Sequence, residues 1–176
     1  MKYCLLALSA AILASCTISM PQPVNQPQNR DEFKGAVAKG ARFMKVETYV
    51  AKRPFDDAIK LVRTKTGECL NYRLTETERS VATGLTTYTS AHDYAASFRA
   101  IGKTRAELTM QHNPRGTRIG PEMPQGGFYL IAVDFERASA NTTQLTLYGP
   151  TMGGWDRTYD AIKKWSEGIA VACPKR

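Results

Sequence analysis

The sequence predicts an α+β domain: an antiparallel sheet of about six to seven strands with one N-terminal helix and a long C-terminal helix packed on it. Period-two alternation of apolar and polar residues recurs through most of the chain, which is typical of half-buried strands. Two further segments place apolar residues at helical spacing. At 176 residues, the chain is long enough for one hydrophobic core. We expect a single globular domain over residues 42–176.

The first strand and the first helix follow each other directly. In residues 44–50, methionine, valine and threonine alternate with lysine, glutamate and tyrosine, which predicts a strand. A helix over 54–66 comes next, because Pro54 suits a first helical position and two acidic residues occupy the first turn. Gly67 is expected to end this helix.

The middle of the chain is predicted to be antiparallel sheet. A turn at Gly102-Lys103 joins two of its strands in a hairpin, and a Pro- and Gly-rich loop is expected over 113–127. The strand patterns fall in residues 70–74, 81–88, 94–100, 106–110, 128–135 and 144–148.

The last predicted element is a long aromatic helix after Gly153-Gly154. A helix that carries two tryptophans and a tyrosine is expected to pack deeply. Its apolar stripe comprises Trp155, Tyr159, Ile162, Ser166, Ile169 and Cys173, with Trp165 at its edge.

The N-terminus has the pattern of a secretion signal. Lys2 precedes an apolar stretch over residues 3–14, too short to span a membrane. Leu13-Ala14-Ser15-Cys16 resembles the lipobox of bacterial lipoproteins, which implies that residues 1–15 are removed and that Cys16 carries lipid. The alternative is an ordinary signal peptide with Cys16 as a bystander.

The lipobox resemblance also implies a location. Thr17 stands where an aspartate favours retention in the inner membrane of enterobacteria, so we expect a lipid anchor in the outer membrane, facing the periplasm. Residues 16–41 begin with many Pro, Gln and Asn residues and are expected to form a disordered tether. The membrane would then be a partner through the N-terminal lipid.

Cysteine usage agrees with export. Cys4 leaves with the signal and Cys16 takes the lipid, so Cys69 and Cys173 remain. An exported domain with one remaining pair is most simply disulfide-bonded. Two separate buried thiols are the alternative. Two cysteines without a CxxC spacing or a nearby histidine do not make a zinc site.

The charge pattern does not indicate nucleic-acid binding. The formal charge is +8, or +7 once Lys2 is removed, and the basic residues are scattered without an arginine-rich run. Such a charge could attract anionic lipid headgroups or peptidoglycan, and a basic surface that is merely solvated is the favoured alternative.

The order of elements resembles the helix-grip arrangement, in which a curved antiparallel sheet wraps around a terminal helix. START-type lipid-binding domains and the BamC lipoproteins of outer-membrane assembly have this arrangement. The resemblance covers about residues 42–173 and is one of element order, without a diagnostic motif. A two-layer α+β sandwich with both helices on one sheet face is the competing architecture.

The residue pattern does not favour any of the candidate catalytic groups. Ser90, His92 and Asp93 are adjacent, but neighbouring strand residues point to opposite faces and no GxSxG turn exposes a nucleophile. His112 reads as a loop histidine, and two histidines do not suffice for a metal site. We therefore expect no enzymatic activity, metal or cofactor.

Other polar residues have simpler explanations than chemistry. The neighbours Asp56 and Asp57 suit the positive end of a helix dipole. Glu68 lacks a base partner. The glycine loop could hold a phosphate or a protein partner, although it lacks the P-loop spacing. Its candidate residues are Arg115, Gly116, Arg118, Gly120, Gly126 and Gly127.

Two functions are favoured, and a hydrolase that uses Ser90 or His92 is a third alternative. The first is a non-enzymatic envelope module that binds or assembles with another protein through its basic surface and the 113–127 loop. The alternative is a carrier of a lipid or small apolar ligand, with a pocket between the sheet and the C-terminal helix lined by Phe98, Trp155, Tyr159 and Ile162. An open cavity would distinguish the carrier from a filled core.

Overall fold

The computed structural model describes residues 26–79, 87–115 and 122–174. Within these residues, one antiparallel sheet of six strands and three helices form an α+β fold, which confirms the predicted class. The elements in chain order are α1 (Arg30–Ala38), β1 (Met44–Ala51), α2 (Phe55–Cys69), β2 (Tyr72–Arg79), β3 (Thr87–Ile101), β4 (Arg105–Arg115), β5 (Phe128–Arg137), β6 (Thr143–Pro150) and α3 (Asp156–Ser166).

The sheet is a meander with one strand added. Its order is β1-β6-β5-β4-β3-β2, and every neighbouring pair is antiparallel. Consecutive strands from β2 to β6 are neighbours, whereas β1 pairs with β6. The helix α2 therefore connects the strand at one edge of the sheet to the strand at the other edge. Gly102 has a φ of +66° in the turn between β3 and β4, where the predicted hairpin is confirmed.

The main core lies between one face of the sheet and the pair α2 and α3. Apolar side chains of the middle strands alternate into it, as period two requires. The helix α2 contributes the face that helical spacing predicted. Among the buried core residues are Phe55, Ile59, Val62, Leu108, Met110, Ile131, Val133, Phe135, Leu145 and Leu147. Both helices share one face, as the two-layer alternative proposed.

A third helix packs on the opposite face of the sheet. Phe33 and Val37, one helical turn apart on α1, are buried against Ala132 of β5. The Asn29 side chain accepts a hydrogen bond from the Glu32 backbone N–H and so caps the start of this helix. The prediction of a disordered tether over the whole of 16–41 is therefore wrong for residues 30–38, and packing against the sheet begins before residue 42.

The first predicted helix is longer than expected. It continues through Gly67 to Cys69, because its buried face includes Thr66 and Cys69. Burial of that face outweighs the cost of a glycine inside a helix, which is about 1 kcal/mol. The strand predicted over 70–74 accordingly starts at Tyr72.

The C-terminal helix is shorter than expected. It ends at Ser166, and Gly168 has a φ of +75°, in the left-handed region that suits a glycine after a helix. The Gly168 backbone N–H donates to the Trp165 carbonyl. Ile169, predicted to continue the buried stripe, is 53% exposed. The prediction of a long C-terminal helix, which the helix-grip resemblance also implies, is therefore wrong for this chain.

One predicted loop and one predicted strand are only partly described. The β4 strand continues to Arg115, so residues 113–115 of the loop predicted over 113–127 are strand. Residues 116–121 lie outside the described residues, as does most of the strand predicted over 81–88. The other end of the loop is held by Gln111, whose side-chain amide donates to the carbonyls of Gln125 and Gly127.

Candidate functional site

The predicted lipidation site, Cys16, lies outside the described residues. Within the described part of the chain, no helix is long and apolar enough to cross a bilayer. The lipobox and the outer-membrane location therefore stay predictions.

The two predicted disulfide partners lie together. Cys69 ends α2 and Cys173 follows α3, and their sulfur atoms are 2.05 Å apart, at disulfide distance. Cys69 is 6% exposed and belongs to the main core. The pair joins two parts of the chain separated by 104 residues.

The residues predicted to line a ligand pocket lie in or against the core. Trp155, Tyr159 and Ile162 are 7%, 1% and 0% exposed and pack among the core side chains. The Tyr159 hydroxyl donates to the Pro150 carbonyl at 3.0 Å. Phe98 is partly buried against the core, with its ring centroid 5.8 Å from that of Phe135. These residues are together, but a binding role for them stays a prediction.

Surface clefts lie elsewhere among the described residues. A polar cleft of about 310 Å³ on the α1 face is lined by charged side chains that include Arg30, Arg99 and Glu107. Arg30 donates from Nη2 to Asp134 Oδ1 at 2.7 Å and from Nε to Thr109 Oγ1 at 3.0 Å. The second cleft, about 390 Å³, lies between α2 and the chain after α3. The charges in the first cleft attach α1 to the sheet.

Ser90 and His92 lie on one face of β3, and Asp93 lies on the other, as strand alternation predicts. Ser90 Oγ is 3.2 Å from His92 Nε2. Asp93 instead accepts hydrogen bonds from Arg73 and Arg115. The hydrogen bond from Arg73, followed in size by that from Arg115, holds the pKa of Asp93 below its usual value. A Ser-His-Asp triad of these neighbours is therefore not formed.

Sequence reasoning missed the role of His112. Rather than lying in a loop, it lies on β4 opposite Tyr94, and its Nε2 is 2.9 Å from Nδ1 of His92. The Tyr94 ring stacks on His112, with centroids 4.9 Å apart. Because one ring nitrogen must donate and the other accept, the pair forms a hydrogen-bonded chain with Ser90. Only the register of β3 on β4 reveals this pairing.

The histidine pair does not extend to a metal centre. Across the described ranges, no group of three or more His, Cys, Asp or Glu side chains is placed to hold a metal ion. The stacking continues from Tyr94 to Tyr72, whose ring centroids are 4.7 Å apart, and these tyrosines pack against the core. The arrangement acts as a polar and aromatic seam between β2, β3 and β4.

The edge strand β1 carries its polar side chains toward α3. Lys45 Nζ lies 2.9 Å from Asp156 Oδ1, Lys163 pairs with Glu47, and the Tyr49 hydroxyl donates to Glu167 Oε1 at 2.9 Å. Three side chains at alternate positions of β1 thus contact Asp156 and Lys163 of α3 and Glu167 directly after it. This ladder fixes the strand to α3 with polar contacts.

The ladder lowers the pKa of the Glu47 carboxyl. Burial raises the pKa of this carboxyl, but the hydrogen bonds and charges of Lys163 and Lys45 outweigh burial, so its pKa lies below the usual value of 4.5. For Tyr49, burial and the hydrogen bond to Glu167 both raise the pKa. The Glu47 carboxylate therefore stabilises the fold above the pKa that it has in the unfolded chain.

The Glu47→Gln variant tests this pH dependence. At pH 7 we expect it to lower the free energy of unfolding by about 1 kcal/mol, because the partly buried ion pairs are lost. The difference from the wild type should shrink as the pH falls from about 4.5, the pKa of the unfolded carboxyl, toward its lower pKa in the folded protein, where the wild-type side chain becomes protonated and resembles the amide. Urea denaturation at several pH values measures it.

Glu136→Gln is the matched control for Glu47→Gln. Glu136 is exposed and lies 3.7 Å from Arg105, so its loss should change stability by less than about 0.5 kcal/mol at any of these pH values. A Glu47→Gln difference that is equally large at pH 3 and at pH 7 would contradict the role of the charged ladder.

The opposite side of β1 is exposed and apolar. Val46 and Val50 are 45% and 48% exposed, and Phe43, just before the strand, is 53% exposed with a φ of +60°. Sequence alternation identified this strand but not which half faces outward. The outcome depends on Asp156, Lys163 and Glu167 more than 100 residues away, so no local signal could have predicted it.

No protein-family model matches this chain, and searches of curated proteins and of solved structures found no match either.

Proposed function

We propose that this chain is a lipid-anchored protein of the bacterial cell envelope whose disulfide-linked domain binds another protein without catalysing a reaction. The observation that carries the proposal is the Cys69–Cys173 pair at disulfide distance. Disulfides persist in oxidising compartments outside the cytosol, which agrees with the secretion signal read from residues 1–15. Cys16 then carries the lipid, in the outer membrane and facing the periplasm.

The length of chain before the domain suits an anchor. Thirteen residues separate Cys16 from Arg30, where α1 begins. A fully extended chain spans about 3.3–3.6 Å per residue, so the start of α1 would lie within about 50 Å of the lipid. The domain would stay near the membrane surface, within reach of other membrane-anchored proteins.

The surface features favour protein binding over chemistry. The edge strand β1 offers exposed valines and an edge that no other described strand pairs with. Such edges are templates for pairing with another chain. Ser90 and His92 are instead engaged with His112 in a seam of stacked rings, which serves packing between strands.

A Cys16→Ala variant tests the anchor. We expect the wild-type chain in the membrane fraction of a bacterial host and the variant in the soluble fraction, because the acylated cysteine is absent. Fractionation of cells that express each full-length chain, followed by immunoblotting, measures the distribution.

The matched control is Thr17→Ala, which changes the neighbouring residue and leaves the cysteine in place. It should remain with the membranes. A Cys16→Ala chain that stays in the membrane fraction as fully as the wild type would overturn the proposal of a lipid anchor.

A further inference from the structure

The backbone of β1 has one unpaired side within the described chain. The Thr151 backbone N–H donates to the Phe43 carbonyl at 2.9 Å, so these two residues form a hydrogen-bonded pair at the end of the β1–β6 strand pairing. Hydrogen-bonded and non-hydrogen-bonded pairs alternate along antiparallel strands. The backbone groups of Lys45, Glu47 and Tyr49 therefore bond toward β6. Val46, Thr48 and Val50 alternate with them and direct their N–H and C=O groups outward.

The ends of this outward edge are already used. The Met44 N–H donates to the Ala41 carbonyl, and the Lys52 N–H donates to Glu167 Oε1. The groups left for a new strand are those of Val46, Thr48 and Val50. The stretch is regular, without a register shift against β6 or a proline.

We infer that a second copy of this chain pairs antiparallel with β1, about a two-fold axis that passes through Thr48. In this register, Thr48 faces the partner's Thr48, and Val46 faces the partner's Val50 on either side. All three pairs are hydrogen-bonded pairs, so they would form six backbone hydrogen bonds and join the sheets into one of twelve strands.

Self-complementarity of the side chains selects this register. Valine meets valine twice and threonine meets threonine, which are favourable cross-strand pairs. On the α3 side, Glu47 would meet the partner's Tyr49. If the axis passed through Glu47, the two Glu47 carboxylates would lie opposite each other. If it passed through Tyr49, Val46 would lie opposite the partner's Lys52.

The other edge of the sheet is built differently. The described side chains of β2 are largely polar, with Arg73, Thr75, Glu76 and Thr77 exposed. Charged and polar edge residues discourage pairing with another sheet. Only β1 therefore combines an unpaired regular edge with apolar side chains among the described strands.

The pairing is expected to be weak in dilute solution, because one strand pair buries less than the roughly 1,200 Å² of a standard interface. Anchoring in a membrane would raise the effective concentration of the two copies and favour the dimer. This enhancement depends on the proposed lipid anchor, whereas the pairing itself does not.

Cysteine cross-linking in the full-length chain tests the register. Paired residues have Cα atoms about 5.5 Å apart, within the range of a disulfide. Thr48→Cys should therefore form a disulfide-linked homodimer on mild oxidation of the cells. Val46→Cys alone should not, since position 46 faces position 50 of the partner, but co-expression of Val46→Cys with Val50→Cys should.

Thr75→Cys on the other edge is the matched control and should stay monomeric. The test is repeated with Cys16→Ala in the background, using the soluble chain at high concentration, so that a failed anchor is distinguishable from a failed interface. Adding Val46→Lys and Val50→Lys to Thr48→Cys should abolish the cross-link, while Thr75→Lys and Thr77→Lys should not.

Three results would overturn the inference. The first is no Thr48→Cys dimer in either background. The second is equal cross-linking at positions 46 and 48, which would indicate random collision or another register. The third is a cross-link from position 48 to a protein of different mass, which would identify a different occupant of the edge.

Discussion

Replacing both Cys69 and Cys173 with alanine is expected to lower the free energy of unfolding by about 4–5 kcal/mol. A link across 104 residues removes much of the conformational freedom of the unfolded chain, and the chain-entropy model gives a loss of this size for a loop of about 100 residues. Small domains have a total stability of about 5–15 kcal/mol, so this loss would be severe. Urea denaturation of the oxidised wild type and of the variant measures it.

The same bond makes a prediction about thiols. We expect neither Cys69 nor Cys173 to react with a thiol reagent when protein from the periplasm is denatured without a reductant. Both should react when the reductant is present. The matched variant is Ser97→Ala on β3, whose side chain is exposed, and it should keep nearly the wild-type stability. A difference of less than about 1 kcal/mol between the wild type and the double variant would contradict a stabilising link.

Trp165→Ala is expected to have the second largest effect, with a loss of about 3–5 kcal/mol. Trp165 is the largest of the fully buried side chains described, at 0% exposure, and it packs α3 into the core beside α2 and the sheet. Alanine would leave a cavity that the surrounding helices and strands fill only partly. Thermal or urea unfolding followed by circular dichroism measures the change.

Ile169→Ala is the matched control for Trp165→Ala. Both residues belong to the C-terminal helix as the sequence predicts it, but only Trp165 lies in the helix that is observed. Since Ile169 is 53% exposed, its truncation should cost less than about 1 kcal/mol. Equal losses at the two positions would mean that the apolar stripe continues beyond Gly168, contrary to the observed helix end.

Much of the sheet could be predicted because its signals are local. Residues 128–135 and 144–148 were identified from strand composition, and the turn at Gly102 from its glycine. The same local rules failed at helix ends. Gly67 did not end α2, because burial of Thr66 and Cys69 outweighed its low helix propensity.

The first helix was missed for a related reason. Its segment follows a Pro-, Gln- and Asn-rich stretch, and the disorder that this composition predicts was assigned to residues beyond the stretch itself. The helix signal consists of the capping residue Asn29 and the apolar pair Phe33 and Val37. The helix that follows Asn29 is only nine residues long. A helix this short is stabilised by packing against β5 rather than by its own propensity.

The candidate sites depended on contacts between distant residues. The pairing of Cys69 with Cys173 was predicted by elimination, since an exported chain offered only one remaining pair. The hydrogen bond between His92 and His112 depends on the register of β3 against β4, which residue patterns do not specify. The outward direction of Val46 and Val50 depends in the same way on ion pairs with α3.

The mass of the N-terminal peptide of the mature protein tests the proposed lipid anchor at Cys16. The protein would be extracted with detergent from the outer membranes of a bacterial host, digested and analysed by mass spectrometry. We expect the first fifteen residues to be absent and the mature chain to begin with an acylated Cys16. A mature chain that begins at another residue, or an unmodified Cys16 in protein from the same membranes, would contradict it.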